Sequence, residues 1–122
     1  MQCYFCKQSN LLYMGFDSCW CRGCKIRGIY NSLSNEYTEF RIYIDQSLNL
    51  VNGLITNEKS FIVVFGTFNY IKEIIEYNSL YGSIVCKRRL QVNQTFLEPK
   101  LEDIVDFSKI YIQRMLKLNL YS

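Results

Sequence analysis

Two Cys-x2-Cys motifs near the start of the chain constrain its fold more than any other feature. Cys3 and Cys6 form the first motif, Cys21 and Cys24 form the second, and fourteen residues separate them. Each motif places two sulfurs on one side of a tight turn, and two such turns can complete the tetrahedron of ligands that Zn²⁺ prefers. The spacing therefore predicts one zinc site made of Cys3, Cys6, Cys21 and Cys24.

The predicted site is structural rather than catalytic. Four thiolates leave no open position for a water molecule, and the chain contains no histidine that could act as a base or a mixed ligand. Cys19 lies two residues before Cys21 and can replace it as a ligand through a looser turn. Cys86 is remote from the other five cysteines, and we expect it to be a buried thiol of the core.

Residues 1–30 resemble a zinc ribbon, a small zinc-binding module. The resemblance rests on the four predicted ligands and on the two turns "CYFCKQ" and "CRGCKI". Lys7 and Lys25 stand where ribbons often have a glycine. The fourteen intervening residues suffice for a two-stranded connection, with "LLYMGF" as the first strand and "SCWC" as the return strand.

A redox dithiol is the alternative interpretation of the second motif. "WCRGCK" resembles the thioredoxin motif, and Cys21 and Cys24 would then exchange disulfides. That fold needs a helix after the motif and a cis-proline opposite the dithiol. Gly28 interrupts the following segment, and the only proline, Pro99, lies far downstream. A redox role also leaves the first Cys-x2-Cys motif without a purpose.

The rest of the chain alternates between strand patterns and polar breaks. "NSLSNE" at 31–36 predicts a hinge, and residues 37–68 predict an antiparallel meander in which "SFIVVF" is a central strand. The spacing of isoleucines in "NYIKEIIEY", 69–77, favours a short helix, whereas "LYGSIVC" and "QVNQTFL" favour strands.

From Leu101 onward, apolar residues recur at helical spacing, with acidic residues first and basic residues last, which suits the dipole of an amphipathic helix. The sequence therefore predicts an α+β fold. A zinc ribbon of residues 1–30 would join an antiparallel sheet of residues 37–122, with the C-terminal helix packed on that sheet and the two parts forming one unit.

The positive charge of the chain is concentrated at its start. Residues 1–30 contain four basic residues against one acidic residue, which accounts for the whole net charge of +3. A zinc ion with four thiolates carries a formal charge of −2 and offsets part of this excess. Clustered Lys and Arg side chains bind phosphates, and aromatic rings stack on bases. The candidate nucleic-acid or partner-binding residues are Trp20, Arg22, Lys25, Arg27, Lys87, Arg88 and Arg89.

These features favour a non-enzymatic zinc protein that binds nucleic acid or a protein of the nucleic-acid machinery. A protein-interaction module, such as an inhibitor of a host enzyme, is the alternative, and a thiol oxidoreductase is the second alternative. The abundance of residues with AT-rich codons predicts a viral, phage or low-GC bacterial source. We expect a cytoplasmic protein, because the start of the chain does not read as a signal peptide and the sequence lacks a membrane-spanning apolar run.

Overall fold

A computed structural model of the 122-residue chain describes the structure of most of the sequence. The described residues are Cys3, Phe5, 11–15, 18–31, 33–34, 36–45, 47–51, 60–67, 70–80, 83–97 and 100–117. Eight strands and one helix lie within them. These elements are β1 (Leu11–Gly15), β2 (Ser18–Cys21), β3 (Ile26–Asn31), β4 (Glu36–Asp45), β5 (Leu50–Val51), β6 (Ser60–Thr67), β7 (Tyr70–Leu80), β8 (Ser83–Thr95) and α1 (Leu101–Lys117).

All eight strands belong to one antiparallel sheet. Its order is β1-β2-β3-β4-β6-β7-β8, and the short β5 pairs with the far end of β4, beside β3. The predicted α+β class is wrong, because strands make up 65% of the described residues and the fold is largely all-β with one helix. The strands predicted for the ribbon are present as β1 and β2, but they continue the same sheet as the rest of the chain.

The predicted hinge at 31–36 is the loop of the hairpin between β3 and β4. The side-chain oxygen of Asn31 accepts hydrogen bonds from the backbone N–H groups of Leu33 at 3.0 Å and Ser34 at 3.5 Å. Such a turn around an asparagine side chain lets two paired strands reverse direction within a few residues.

The helix predicted at 69–77 is also wrong, because this segment forms most of β7. A bulge at Lys72 brings Ile71 and Ile74 to the same face of the sheet, although they are three residues apart. Ile75 points to the opposite face and is buried there as well. A bulge combined with burial on both faces therefore produces the spacing that resembles a helix.

The C-terminal helix is confirmed as α1, and it packs on one face of the sheet. Ile104 and Ile112 of α1 are fully buried in the same core as Phe40, Ile42 and other residues of the sheet. Glu102 and Asp103 lie in its first turn, where acidic side chains suit the helix dipole. The predicted apolar stripe also contains Met115 and Leu116, whose side chains lie outside the described part. We name the covered face the helix face.

Phe40 fits into the helix face because glycines flank it on both neighbouring strands. Gly28 of β3 and Gly66 of β6 lie directly opposite Phe40. A Cβ atom on Gly28 would collide with the backbone oxygen of Glu39, and one on Gly66 would collide with the Phe40 ring and the Tyr70 backbone oxygen. The Phe40 ring therefore occupies space that Gly66 leaves free, and Gly28 allows the backbones of β3 and β4 to approach closely.

The opposite face of the sheet is named the outer face. Its centre is an aromatic and aliphatic cluster that contains Tyr43, Phe61 and Val63, each no more than 9% exposed. The Phe61 and Tyr77 rings stack with centroids 5.3 Å apart. Within the described residues, α1 is the only helix, and it packs on the other face. This helix is not long and apolar enough to cross a lipid bilayer.

Candidate metal centre and outer face of the sheet

The second Cys-x2-Cys motif forms the turn between β2 and β3. The backbone N–H of Lys25 donates to the backbone oxygen of Cys21 at 2.9 Å, which closes the turn. Lys25 has a φ of 61°, in the left-handed region that glycine adopts most easily. The position where zinc ribbons often have glycine thus adopts the corresponding backbone conformation with a lysine.

Three cysteine sulfurs meet beside this turn. The Sγ atoms of Cys3, Cys21 and Cys24 all lie within 4.8 Å of one another, and all three residues are buried. The Cys3 and Cys24 sulfurs are 3.5 Å apart. In a tetrahedral site with Zn–S bonds of about 2.3 Å, sulfurs are separated by about 3.8 Å. The donor set and its spacing therefore fit a metal ion that prefers thiolates, and these three residues form a possible metal site.

The fourth predicted ligand, Cys6, lies outside the described residues. Cys19 is described and is 1% exposed, but it does not belong to the group of three sulfurs. It lies on β2 two residues before Cys21, so both side chains point to the helix face. Burial raises the pKa of the Cys19 thiol to about 11. Among the described cysteines, Cys21 and not Cys19 belongs to the group of three sulfurs.

Two tyrosines connect the cysteine cluster to the core. The hydroxyl oxygen of Tyr37 lies 3.4 Å from the sulfur of Cys3, and Tyr37 is fully buried. Its ring stacks on Phe5 at 5.6 Å and meets the edge of Tyr30 at 5.4 Å. Burial, followed by the hydrogen bond with Cys3, raises the pKa of Tyr37 above its usual range. This hydroxyl therefore stays protonated and can donate to a thiolate at Cys3.

The buried thiols are poor candidates for disulfide exchange. Cys21 is 0% exposed and Cys24 is 5% exposed. The hydrogen bond with Cys3, followed by burial, raises the pKa of Cys24 above its usual range. Reactive thiols need access to their reaction partners, and burial denies it to these two sulfurs. The grouping of three buried sulfurs therefore favours a metal site over redox exchange.

A continuous row of side chains crosses the outer face perpendicular to the strands. Directly opposite residues in antiparallel strands point to the same face. By register, Leu12 faces Trp20, Trp20 faces Arg27, Arg27 faces Arg41, Arg41 faces Phe65, Phe65 faces Glu73, and Glu73 faces Gln91. The row spans seven strands and brings together basic and aromatic residues that are far apart in the sequence.

Arg27 and Arg41 occupy the centre of this row and are directly opposite each other. Like charges in such positions repel and destabilise a sheet. No carboxylate in the described part of the chain forms an ion pair with either guanidinium. The Arg41 guanidinium lies 5.6 Å from the centre of the Phe65 ring, and the Lys72 ammonium lies at the same distance from it. Two cations, Arg41 and Lys72, therefore lie close to one aromatic ring.

Two depressions on the outer face share the arginine pair. The larger, of about 530 Å³, has a floor of aromatic and aliphatic side chains and is rimmed by Arg27, Arg41, Glu73 and Arg89. The smaller, of about 350 Å³, lies against Ser18, Ile29 and Glu39, and the same two arginines line it. The larger has the size typical of sites for small ligands.

The candidate binding residues of the first thirty positions do not share one surface. Trp20 belongs to the row and is half-buried, but its indole N–H is buried without an acceptor among the described residues. Arg22 lies exposed in the turn between Cys21 and Cys24. The Lys25 ammonium donates to the backbone oxygen of Leu50 at 3.5 Å. Among these candidates, only Arg27 lies directly opposite Arg41 in the sheet.

The run of Lys87, Arg88 and Arg89 lies within β8, where side chains alternate between the two faces. Arg88 is opposite Glu76, whereas Arg89 is opposite Ile75 and lines the larger depression. A guanidinium nitrogen of Arg89 lies 3.6 Å from the carboxylate of Glu73. The side chain of Lys87 lies outside the described part. Arg88 and Arg89 therefore point to opposite faces.

Arg41 and Phe65 are not among the binding residues that the sequence predicts. The signal for Arg41 is its place in "TEFRIYID", where residues of the helix face alternate with Arg41, Tyr43 and Asp45. An apolar alternation identifies the buried face, and the intervening residues then define the other face. Phe65 lies in an apolar run that gives no such signal.

No family model matches the chain, and neither the curated proteins nor the solved structures contain a significant match.

Proposed function

We propose that this chain is a non-enzymatic zinc-binding protein that binds nucleic acid through the outer face of its sheet. The observation that carries the proposal is the Arg27–Arg41 pair, which lies beside Phe65 with no carboxylate partner among the described residues. An anion such as a phosphate would relieve the repulsion between the two guanidinium groups. Arginine suits this role because its planar fork donates two parallel hydrogen bonds to phosphate oxygens.

Zinc is the proposed metal because three buried thiols, whose sulfurs lie within 4.8 Å of one another, match its preferred ligands. Cys6 is the proposed fourth ligand, which would complete the two Cys-x2-Cys motifs. Such a site is closed to water, so its role is to stabilise the fold. The metal would fix the turn between β2 and β3, and these two strands contribute Trp20 and Arg27 to the outer face.

The metal proposal is tested by native mass spectrometry of tag-free protein together with a count of free thiols. We expect one zinc ion and two free thiols, Cys19 and Cys86. A metal-free protein with a reversible Cys21–Cys24 disulfide would contradict zinc binding and support the oxidoreductase instead.

The nucleic-acid proposal is tested by fluorescence polarisation with labelled single-stranded and duplex oligonucleotides over a series of salt concentrations. We expect binding that weakens as salt rises, because phosphate contacts release counterions. The double substitution Arg27→Gln/Arg41→Gln should weaken binding and flatten the salt dependence. Arg114→Gln is the matched control, because Arg114 is exposed on α1, the element packed on the helix face.

Absence of binding to every oligonucleotide would contradict nucleic-acid binding. A protein partner captured by the wild type and lost with the arginine pair would then favour the interaction module. Nucleic acid is preferred here over a protein partner because a phosphate would relieve the repulsion between Arg27 and Arg41, which lie directly opposite each other.

A further inference from the structure

We propose, building on the nucleic-acid function above, that the outer face binds one dinucleotide step of a single strand, with the internal phosphodiester held between Arg27 and Arg41. The two arginines form the common wall of the larger and the smaller depression. A phosphodiester group likewise links two nucleosides and lies between them. The arrangement of one cationic pair between two depressions therefore matches the covalent order of a dinucleotide.

The larger depression suits a base. Phe65 and Tyr77 at its sides are half-buried, so parts of their rings remain accessible, and Val63 and Ile75 form an apolar floor. Bases stack on aromatic rings with little dependence on their identity. A volume of about 530 Å³ accommodates a planar ring system together with its sugar.

The smaller depression suits the second nucleoside. Ser18 and Glu39 line it beside Ile29, so a hydroxyl and a carboxylate are available to the sugar or the base edge. The Glu39 carboxylate in this depression would repel a phosphate, whereas Glu73 in the larger one lies 3.6 Å from the guanidinium of Arg89. Glu39 therefore favours a phosphate at the arginine pair over one deeper in the smaller depression.

A single strand fits this arrangement better than a duplex. In a duplex the bases are paired and stacked on one another, whereas a single strand can turn a base toward an aromatic surface. The arginine pair supplies the charge and the larger depression supplies the stacking surface, and both are present on one face of one sheet.

The test uses NMR titration of isotope-labelled, zinc-loaded protein with thymidylyl-thymidine and with its methylphosphonate analogue, which lacks the phosphate charge. Because hydrogen bonds to charged groups are strong, we expect the charged dinucleotide to bind at least about tenfold more tightly than the neutral one. Arg27→Gln and Arg41→Gln should each reduce this preference, and Arg114→Gln should leave it intact. Phe65→Leu should weaken the binding of both ligands.

The outcomes separate this inference from the broader function. If long oligonucleotides bind with salt dependence but the dinucleotide and its neutral analogue bind equally, the inference is wrong and the nucleic-acid function stands. Tighter binding of duplex than of single strand would also overturn the inference while leaving the function. If neither oligonucleotides nor the dinucleotide bind, both fail. Each variant is first checked by its thermal unfolding, so that loss of binding is not confused with loss of fold.

Discussion

The hydroxyl oxygen of Tyr37 on β4 lies 3.4 Å from the sulfur of Cys3, at the start of the chain. Cys3 and Tyr37 are fully buried, and Tyr37 also stacks on Phe5. The cysteine cluster is therefore supported by the core of the sheet as well as by the turn between β2 and β3. A hydroxyl that donates to a metal-bound thiolate orients it and stabilises its charge.

Tyr37→Phe should lower the affinity for zinc by about tenfold, because it removes this donor and keeps the ring that packs on Phe5 and Tyr30. The measurement is a competition titration against a chromophoric zinc chelator. Tyr111→Phe is the control, since Tyr111 stacks on Phe107 within α1 and is not part of the cluster. Equal zinc affinity in the wild type and Tyr37→Phe would show that the hydroxyl does not support the metal.

Removal of the metal should destabilise the protein, because three buried thiols at the N-terminal edge of the sheet would lose the ion that holds them together. We expect a chelator to lower the unfolding midpoint by more than about 5 °C, and Cys24→Ser to abolish this response. Differential scanning calorimetry with and without chelator provides the measurement.

Cys19→Ala is the matched control for the cysteine substitution, because Cys19 is buried beside the cluster but is not one of its three sulfurs. It should retain its zinc and its response to the chelator, whereas Cys6→Ala should lose both. The reverse pattern would identify Cys19 rather than Cys6 as the fourth ligand.

Lys25→Gly should stabilise the zinc-loaded protein relative to Lys25→Ala by about 1 kcal/mol. Both changes remove the side chain and its contact with Leu50, but only glycine relieves the left-handed backbone at this position. The free energy of unfolding in urea gives the difference. If the two variants are equally stable, the turn stores no strain at Lys25.

Gly66→Ala should destabilise the protein by about 1–3 kcal/mol, because its methyl group would collide with the Phe40 ring and the Tyr70 backbone oxygen. Thr67→Ala, at the next position of β6, is the control and should change stability much less. Urea unfolding of both variants measures the effect. A fully stable Gly66→Ala would mean that Phe40 moves away without loss of packing.

The sequence predicts the strands well where one face is apolar and the other is polar. In β4, Phe40, Ile42 and Ile44 are fully buried on the helix face, as their alternation with polar residues indicates. The prediction fails in β7, because the bulge at Lys72 changes the side-chain period and Ile75 is buried on the outer face. Neither a bulge nor burial on both faces is visible in the local pattern.

The candidate site was predictable only in part, because the sequence indicates local turns but not the register between strands. Cys21 and Cys24 are close in sequence, so their turn follows from local geometry, and Cys3 joins them as the spacing predicts. The Arg27–Arg41 pair depends on the register between β3 and β4, which the sequence does not specify by itself. A ribbon separate from the sheet would not place Arg27 opposite Arg41, whereas the continuous sheet does.

The basic run in β8 has a further consequence for how separate copies of the chain meet. β8 comprises 13 residues and is the last strand in the order of the described sheet, so one side of its backbone faces no other described strand. Long bare strand edges invite pairing with another chain, and charged residues on the strand discourage it. Lys87, Arg88 and Arg89 lie in the middle of this strand, so two aligned copies would place one basic run beside the other, with Arg88 and Arg89 on opposite faces. Mutual repulsion at this edge opposes the growth of the sheet from one molecule to the next.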